Sequence, residues 1–505
     1  MKPKTIAQTF EHKKDFDFSA PEVLETLKRA KENGTEFIGT ATSDFQSHPY
    51  FKDEQGNPQI SSDWEFEVHK VIKNEPSNII GYQNVSAFPQ LFTNKELYIK
   101  RSAELGDNMF RLSFDFGRLC PKPGQFNVTL MQEYVGMLAL IRDQGMEPMV
   151  TLYHWPTPMH LLKIDRHDNI IAGAWEHQDS IHHFRFYVER IISFLSDKDK
   201  LREALNKAGF SQDKQDKLIG DGLVRYFVSV NEPINLLLPT YILGLFPPFR
   251  KGRLDLIPKV LANIVGAHDI AIDTIKTSRL ETIRGLPKVG AAHSWPYFEG
   301  LLSSVAHSFI NSHLAKMFEQ VHKYTDFIGL NYYFRMKLSL FGKNNRIYGD
   351  NPYFGDIHPP GIYHMLKEMS ADYPGKEIFI TEFGFSDNND IRRPYWIMET
   401  VRHVIEALQH NIPVKGMLLW TLVNNFEWNL GVNQKFGLFS EGDLTERLTP
   451  SNGEVIRSWE AWQTTVVAIT QASENNLLKL QHAYLKAKHQ FNSHQIKTGG
   501  YDKQV

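Results

Sequence analysis

The chain has 505 residues, of which 42% are hydrophobic and 23% charged, and its formal net charge at pH 7 is -2. This composition is typical of a globular protein with a large core, and the near-neutral charge disfavours nucleic acid or a membrane surface as the main partner. Cys120 is the only cysteine, so an intrachain disulfide is excluded.

Short apolar runs alternate along the chain with longer amphipathic stretches. The runs predict eight strands, at 37–42, 109–114, 148–154, 226–230, 288–292, 326–331, 377–381 and 416–420. Most are almost continuously apolar, as strands buried on both faces of a parallel sheet must be. Amphipathic stretches such as 130–142 and 393–409 predict connecting helices.

Eight strand–helix units in succession indicate an α/β fold, a single (β/α)8 TIM barrel with inserted loops. An open doubly wound sheet is the alternative. It is disfavoured because no glycine-rich phosphate loop follows the first predicted strand.

Helical patterns also lie outside the predicted barrel. The motif Ser19-Ala20-Pro21-Glu22 is typical of a capped helix start, and the helix is expected to end near Gly34. Four apolar residues near the other end recur at the i, i+3, i+7 and i+8 spacing of an amphipathic helix: Leu477, Leu480, Tyr484 and Leu485. We expect this second helix to pack on the barrel, with an oligomer contact as the alternative.

Three regions follow from these patterns: an N-terminal extension at 1–35, the barrel at 36–465, and a helical extension with a tail at 466–505. The tail is expected to fray after Asn492. The charged stretch 196–221 is expected to be a surface insertion before the fourth strand.

Location is predicted from what the termini and the apolar stretches lack. The first residues lead into charged side chains without an apolar signal segment, and a single cysteine fits a reducing compartment, so we expect a cytoplasmic protein. The longest apolar stretch, 236–249, contains prolines and is too short to span a bilayer, so no membrane insertion is expected.

Two glutamates follow predicted strands in similar motifs. Glu232 lies in Val230-Asn231-Glu232-Pro233, and Glu382 lies in Ile380-Thr381-Glu382-Phe383-Gly384. The C-terminal ends of barrel strands carry catalytic groups. Two carboxylates facing one cleft are the minimum apparatus for cleaving a glycosidic bond, one as the acid and the other as the nucleophile. A lone glutamate after a strand is usually a surface residue or a cap, so the hypothesis depends on the pair.

Further motifs occur at the ends of the other predicted strands. They are Phe37-Ile38-Gly39-Thr40-Ala41-Thr42-Ser43-Asp44-Phe45-Gln46, Phe110-Arg111-Leu112-Ser113, Val150-Thr151-Leu152-Tyr153-His154-Trp155, Asp326-Phe327-Ile328-Gly329-Leu330-Asn331-Tyr332-Tyr333, Leu419-Trp420-Thr421-Leu422-Val423-Asn424-Asn425-Phe426-Glu427-Trp428 and Phe436-Gly437-Leu438. Together with the two glutamate motifs, and in this order, they resemble glycoside hydrolase family 1, the β-glucosidase family of retaining (β/α)8 enzymes. The resemblance covers about residues 36–465.

The resemblance implies a role for each matching position. Glu232 would be the general acid/base and Glu382 the nucleophile, with Arg111 and Tyr333 in contact with Glu382. Asn231 would reach the sugar 2-hydroxyl. The remaining positions would bind the substrate: Gln46, His154, Trp155, Asn331, Trp420, Glu427, Trp428 and Phe436.

The resemblance also implies the substrate class. A small β-glycoside or a short oligosaccharide would be cleaved without any cofactor. The Glu427 carboxylate would repel a phosphate at the sugar 6-position, and Phe436 replaces the tyrosine of the phospho-sugar branch, so a non-phosphorylated sugar is expected. The scattered histidines lack the ligand spacing of a metal site, so no metal is expected either.

Some positions depart from the family pattern and leave questions open. Phe383 stands where the family usually has Asn, Asn424 stands where it has Asp, and the connection between 292 and 326 is short. The short connection leaves the leaving-group preference open. Three alternatives to a hydrolase remain: a transglycosidase on the same scaffold, a catalytically silent sugar-binding protein, and a related barrel enzyme acting on longer β-glucans. The oligomeric state also stays open.

Overall fold

The computed structural model describes residues 16–52, 56–81, 83–280, 282–300, 324–337, 358–449 and 455–497. Eight parallel strands form a closed barrel in it: β1 Phe37–Ala41, β2 Met109–Ser113, β3 Glu147–Tyr153, β4 Tyr226–Asn231, β5 Lys288–Ser294, β6 Phe327–Tyr332, β7 Glu377–Phe383 and β8 Val414–Trp420. Each strand pairs with its neighbours in chain order, and β8 pairs with β1. The closure confirms the predicted (β/α)8 fold and excludes the open sheet.

The strands are apolar because both of their faces are buried. Outward-facing side chains join the main hydrophobic cluster under the helices, whereas a second cluster fills the barrel interior. In the interior, the Tyr226 ring lies 5.3 Å from the Phe37 ring and 5.4 Å from the Phe379 ring, and Phe327 lies 5.0 Å from Phe379. This aromatic layer closes the barrel, so a ligand can enter only above it.

Helices surround the barrel and fill its loops. Their bounds are Pro21–Glu32, Asp44–Ser47, Asp63–Ile72, Lys95–Glu104, Phe116–Leu119, Val128–Asp143, Asp179–Leu195, Lys198–Lys207, Gln212–Asp221, Pro233–Leu237, Ile257–Lys276, Gly361–Asp372, Arg393–Gln409, Ser458–Gln471 and Glu474–Lys497. The helices predicted at 130–142 and 393–409 are among them. The charged insertion at 196–221 forms two of them, Lys198–Lys207 and Gln212–Asp221.

The N-terminal helix begins where it was predicted, but its cap differs. Ala20 is the N-cap residue and makes no side-chain cap hydrogen bond. The Ser19 hydroxyl instead donates to Asp17 Oδ1 at 2.6 Å. The predicted capping role of Ser19 is therefore wrong, because its side chain is held by an earlier residue.

The C-terminal helix packs on the barrel, as expected. Leu477 and Leu480 are fully buried, and the Tyr484 hydroxyl donates to Glu399 Oε2 at 2.8 Å on the helix Arg393–Gln409. Leu485 is 41% exposed, so the predicted apolar face was one residue too wide. The helix continues to Lys497, so the fraying predicted after Asn492 is wrong up to that residue. Residues 498–505 lie outside the described part of the chain.

Short additional strands lie in the loops beyond the C-terminal barrel ends. An antiparallel pair, Leu162–Ile164 and Ile170–Gly173, follows β3, and a parallel pair, Tyr297–Glu299 and Arg335–Lys337, extends past β5 and β6. Most of the connection between β5 and β6, whose shortness was noted in the sequence, lies outside the described residues. Among the helices described, none is long and apolar enough to cross a membrane.

Candidate active site

A cavity of about 980 Å³, counting its open mouth, lies at the C-terminal ends of the barrel strands. Eleven of the thirteen predicted site residues line it: Gln46, His154, Trp155, Asn231, Glu232, Tyr333, Glu382, Trp420, Glu427, Trp428 and Phe436. The other two, Arg111 and Asn331, lie behind the wall, where each hydrogen-bonds a glutamate that lines the cavity. The fold therefore brings the whole predicted set together.

Glu382 is held by one cation and one hydroxyl. An Arg111 guanidinium nitrogen donates to Glu382 Oε1 at 2.6 Å, and the Tyr333 hydroxyl donates to Oε2 at 2.5 Å. Arg111 is fully buried, and it also donates to Thr151 Oγ1 at 2.9 Å and to Asn231 Oδ1 at 2.7 Å. Because Arg111 is fixed by bonds to several strands, it fixes the orientation of the Glu382 carboxylate in turn.

Glu232 follows β4 in a left-handed backbone conformation, with φ of 44°, and the helix Pro233–Leu237 begins directly after it. Such strained positions cluster at functional sites. Asn331 Nδ2 donates to Glu232 Oε1 at 2.9 Å, and Asn235 Nδ2 donates to Oε2 at 3.2 Å. Both carboxylate oxygens therefore have fixed donors.

Asn331 links the surroundings of the two glutamates. While its Nδ2 donates to Glu232, its Oδ1 accepts from Thr381 Oγ1 at 2.7 Å, on the residue before Glu382. A further hydrogen bond from Asn331 to Glu382 lowers the pKa of that carboxyl. The two carboxylates therefore face one cavity with a shared amide between them.

The two carboxyls hold their protons with unequal strength. Burial raises the pKa of Glu232 to about 8, and the charge of Glu382 adds to the rise. Burial also raises the pKa of Glu382, but Arg111 and the Tyr333 hydroxyl act against it. Since Arg111 and the Tyr333 hydroxyl both bond to Glu382, its ionised form is favoured over that of Glu232, which holds its proton to higher pH. Environments that separate two carboxyl pKa values in this way assign an acid and a base or nucleophile.

A third buried carboxylate, that of Glu427, lines the same cavity. Glu427 Oε2 accepts from Gln46 Nε2 at 3.1 Å and from Asn425 Nδ2 at 2.8 Å. Burial raises the pKa of Glu427 to about 7. Carboxylate and amide groups held together in this way can bind adjacent hydroxyl groups of one sugar.

Aromatic rings form the rest of the wall. The His154 ring stacks on Trp420 at 5.8 Å with an interplanar angle of 17°, and on Trp428 at 6.2 Å with 15°. Burial holds the pKa of His154 well below its usual range, with Arg111 adding to the effect, so the imidazole is neutral. Phe436 contacts Tyr333 edge-on at 6.1 Å. Flat apolar faces beside fixed polar groups suit the two kinds of surface on a sugar ring.

The residues that depart from the family pattern lie away from the two carboxylates. The Phe383 ring stacks on Trp396 at 5.8 Å and tilts against Trp462 at the same distance, so it faces the helices outside the barrel. Asn424 Oδ1 accepts from the Gly437 amide at 2.9 Å and so connects the two halves of the loop after β8. Neither change alters the contacts made by Glu382 or Glu232.

Several functional groups were missed by the sequence analysis. Asn235, Asn425 and Thr381 each bond to a site residue, and an apolar segment after Glu232 lines the mouth of the cavity. Asn235 stands three residues after Glu232 at the start of a helix, and this spacing could have revealed it. Throughout the described ranges, no group of three or more His, Cys, Asp or Glu side chains is arranged to hold a metal ion.

A closed barrel whose cavity pairs two buried glutamates at strand ends, one of them held by a cation, is typical of the class of barrel glycoside hydrolases. The model of Glycosyl hydrolase family 1 matches residues 36–215 and 291–449. The chain belongs to glycosyl hydrolase family 1, which confirms the resemblance seen in the sequence.

Individual relatives are distant. The chain is 26% identical over 390 residues to "Beta-glucosidase-like SFR2, chloroplastic" of Oryza sativa subsp. japonica, covering 72% of this chain and 54% of that protein, so it spans about half of that relative's length. It is 23% identical over 475 residues to the "Beta-galactosidase" of Sulfolobus acidocaldarius, covering 79% of this chain and 89% of that protein. The beta-glycosidase from the hyperthermophile Thermosphaera aggregans shares the fold, with a TM-score of 0.69 at 23% identity, covering 89% of this chain and 98% of that one.

Proposed function

We propose that this protein is a retaining β-glycosidase of the β-glucosidase type, which hydrolyses β-linked glycosides through a covalent glycosyl-enzyme. One observation carries the proposal: Glu232 and Glu382 line the same cavity, and Glu382 accepts hydrogen bonds from the Arg111 cation and the Tyr333 hydroxyl. A nucleophile must be ionised and a general acid must be protonated, and these contacts favour the ionised form of Glu382 over that of Glu232.

In the first step, Glu382 attacks the anomeric carbon while Glu232 gives its proton to the leaving oxygen. The bond from the sugar to the leaving group breaks, and an α-linked sugar ester of Glu382 forms. In the second step, Glu232, now ionised, takes a proton from water, and the water oxygen displaces Glu382. The product keeps the β-configuration, because the carbon is inverted twice.

Asn231 is suited to strengthen this transition state. Its Oδ1 accepts from Arg111 at 2.7 Å and from Asn331 at 3.2 Å, and its Nδ2 lies 3.3 Å from His154 Nε2, so the second Nδ2 hydrogen is the one that can donate to a ligand. We assign this nitrogen to the sugar 2-hydroxyl, where a hydrogen bond that strengthens as charge develops lowers the barrier.

The remaining polar and aromatic groups of the cavity lining are assigned to the rest of the sugar. Gln46, His154 and Glu427 bind hydroxyl groups, Trp420 lies under the apolar face of the ring, and Trp428 donates a further hydrogen bond from its indole N–H. A buried carboxylate at Glu427 repels a phosphate, so we propose that the sugar is not phosphorylated. We also propose a cytoplasmic location, which the single cysteine supports and which fractionation of the native organism would test. The proposed cleavage of glycosides is a reaction of carbohydrate metabolism.

The experiment is a panel of aryl β-glycosides that differ in the sugar, assayed with wild type and Glu382→Gly. We expect wild type to release the aryl group with retention, seen as a β-anomer formed first by NMR, and Glu382→Gly to show no turnover. Glu377→Gly is the matched control, since Glu377 lies at the opposite end of the same strand and pairs with Lys288. Retained turnover by Glu382→Gly would refute the assignment.

The same panel distinguishes the alternatives. Added alcohol as acceptor separates a hydrolase from a transglycosidase, because transfer would yield an alkyl glycoside in place of free sugar. A silent sugar-binding protein would bind without releasing the aryl group from any member. We expect free sugar to be the main product.

A further inference from the structure

The outer part of the cavity is lined by apolar side chains. Six apolar residues of the described lining, from two loops, make up this mouth: Leu238, Pro239, Leu243, Leu245, Phe246 and Leu430. Phe246 and Leu430 are buried. Leu238 is 45% exposed and Leu243 is 44% exposed, although leucine is usually buried. Exposed apolar side chains that are grouped at the entrance of a cavity mark a ligand-binding surface.

This mouth is built from the chain segment that carries Glu232. The helix Pro233–Leu237 starts directly after Glu232 and continues as a π-helical turn, Leu238–Leu243. Single π-helical turns are rare in proteins, and those that do occur are often found at functional sites. Leu245 N donates to Pro239 O at 2.7 Å, which closes the turn and holds the leucines at the rim.

The position of Glu232 determines which part of a substrate meets the mouth. A general acid gives its proton to the oxygen of the leaving group, so the group beyond that oxygen lies on the side of Glu232. The segment that leads outward from Glu232 is the apolar one. The leaving group therefore passes over Leu238 and Leu243 on its way to solvent.

The polar side chains of the described lining offer little to a second sugar at this position. Most of them bond to one another around the two glutamates or around Glu427. Asn235, next to the mouth, donates to Glu232. The buried Nδ2 of Asn429 has no hydrogen-bond partner among the described residues, but one donor does not satisfy the several hydroxyl groups of a sugar. A sugar has hydroxyl groups that need partners, whereas a hydrocarbon chain needs none.

We propose that the mouth binds an aliphatic aglycone, so that the preferred substrates are β-glycosides of long-chain alcohols. This inference rests on the proposed glycosidase function and specifies its leaving group. Ile242, 40% exposed, lies in the same π turn, and Leu254, 57% exposed, follows Arg253, whose amide donates to Tyr241 O of that turn, so both add apolar surface to this segment.

The test uses alkyl β-glycosides from methyl to octyl, carrying the sugar that the aryl panel selects. A buried methylene adds about 0.8 kcal/mol, or about fourfold, and the half-open mouth buries each methylene in part, so we expect kcat/KM to rise roughly twofold per carbon. The double variant Leu238→Asn/Leu243→Asn should lose most of this dependence. Ile283→Asn is the control, because Ile283 is 74% exposed before β5, at the opposite end of the barrel.

A glycosyl fluoride of the same sugar tests the glycosidase function separately from the aglycone proposal, because its leaving group is fluoride and no aglycone is involved. We expect wild type and both variants to turn over the fluoride equally. Two results would overturn the aglycone proposal: a kcat/KM of wild type that does not change with chain length, or a higher kcat/KM for a disaccharide than for the octyl glycoside. Turnover of the fluoride in the same experiment would still support the glycosidase function. If wild type does not turn over the fluoride, the proposed glycosidase function is itself wrong. If the double variant does not fold, the single change Leu243→Ser provides the same comparison.

Discussion

Removing the proton donor gives the most detailed prediction. Glu232→Ala deletes the acid and leaves the Arg111 and Tyr333 contacts of Glu382 in place. With a pKa of about 8, Glu232 is about nine tenths protonated at pH 7, so wild type holds the donor in its active form. A general acid contributes about 10²- to 10⁴-fold to the rate. We expect kcat/KM for an alkyl glycoside to fall by that factor.

Activated substrates should respond differently. Dinitrophenolate leaves without protonation, so formation of the glycosyl-enzyme from a dinitrophenyl glycoside should slow by less than about tenfold. The pH profile is the second readout. Because only protonated Glu232 can donate, wild-type activity on the alkyl glycoside should fall as the pH rises through about 8. The variant should lack this limb of the profile.

The assay measures kcat/KM for both substrates in wild type and variant, from about pH 5 to about pH 9.5. The Asn331 and Asn235 amides lose their acceptor in Glu232→Ala, so a thermal melt should accompany the kinetics. Equal losses for the two leaving groups would refute the assignment of Glu232 as the acid. So would a variant whose activity still falls near pH 8.

Three further changes probe groups around the site and in the core. Tyr333→Phe removes a hydroxyl that lowers the pKa of Glu382, so the acid limb of the kcat/KM profile should move to higher pH. The rate should also fall, by about 10- to 100-fold. An acid limb at the wild-type pH would contradict this prediction. Burial raises the pKa of Asp107 to about 7, so the stability contributed by its protonated form is complete below about pH 4 and is lost as the pH rises through about 7. The melting temperature of wild type should therefore fall over that range, and Asp107→Asn should flatten the fall. An unchanged slope in the variant would contradict this prediction. Tyr484→Phe removes the hydroxyl that donates to Glu399, so the free energy of unfolding measured in urea should fall by about 1–3 kcal/mol while kcat stays unchanged. A variant as stable as wild type would disprove the contact with Glu399.

The barrel could be predicted because its strands are buried on both faces. Their apolar runs stand out from the amphipathic helices, and all eight strands occur where the runs do. The ends were less predictable. β7 continues two residues past the predicted end, because Glu382 still pairs with Asn331 and Phe383 with Tyr332 on β6. A polar residue ends an apolar run in the sequence even where backbone pairing continues in the structure.

The candidate site could be predicted only where its residues stand in linear motifs. Glu232 and Glu382 each lie in such a motif, but the bonds from Asn331 to Glu232 and from Thr381 to Asn331 depend on the register of three strands. The mouth was missed for another reason. The run 236–249 is simply apolar in sequence, and the partial exposure of Leu238 and Leu243 comes from the π turn that contains them.

The proposed mechanism requires a covalent bond between the sugar and a carboxylate oxygen of Glu382. A 2-deoxy-2-fluoro glycoside with a good leaving group slows both steps and should allow the sugar ester to accumulate, so mass spectrometry of the intact protein and of its peptides can locate the label. We predict one added sugar per chain, carried by the peptide that contains Glu382 and absent in Glu382→Gly. An unlabelled protein that still hydrolyses the parent glycoside, or a label on Glu232 or Glu427, would contradict the account.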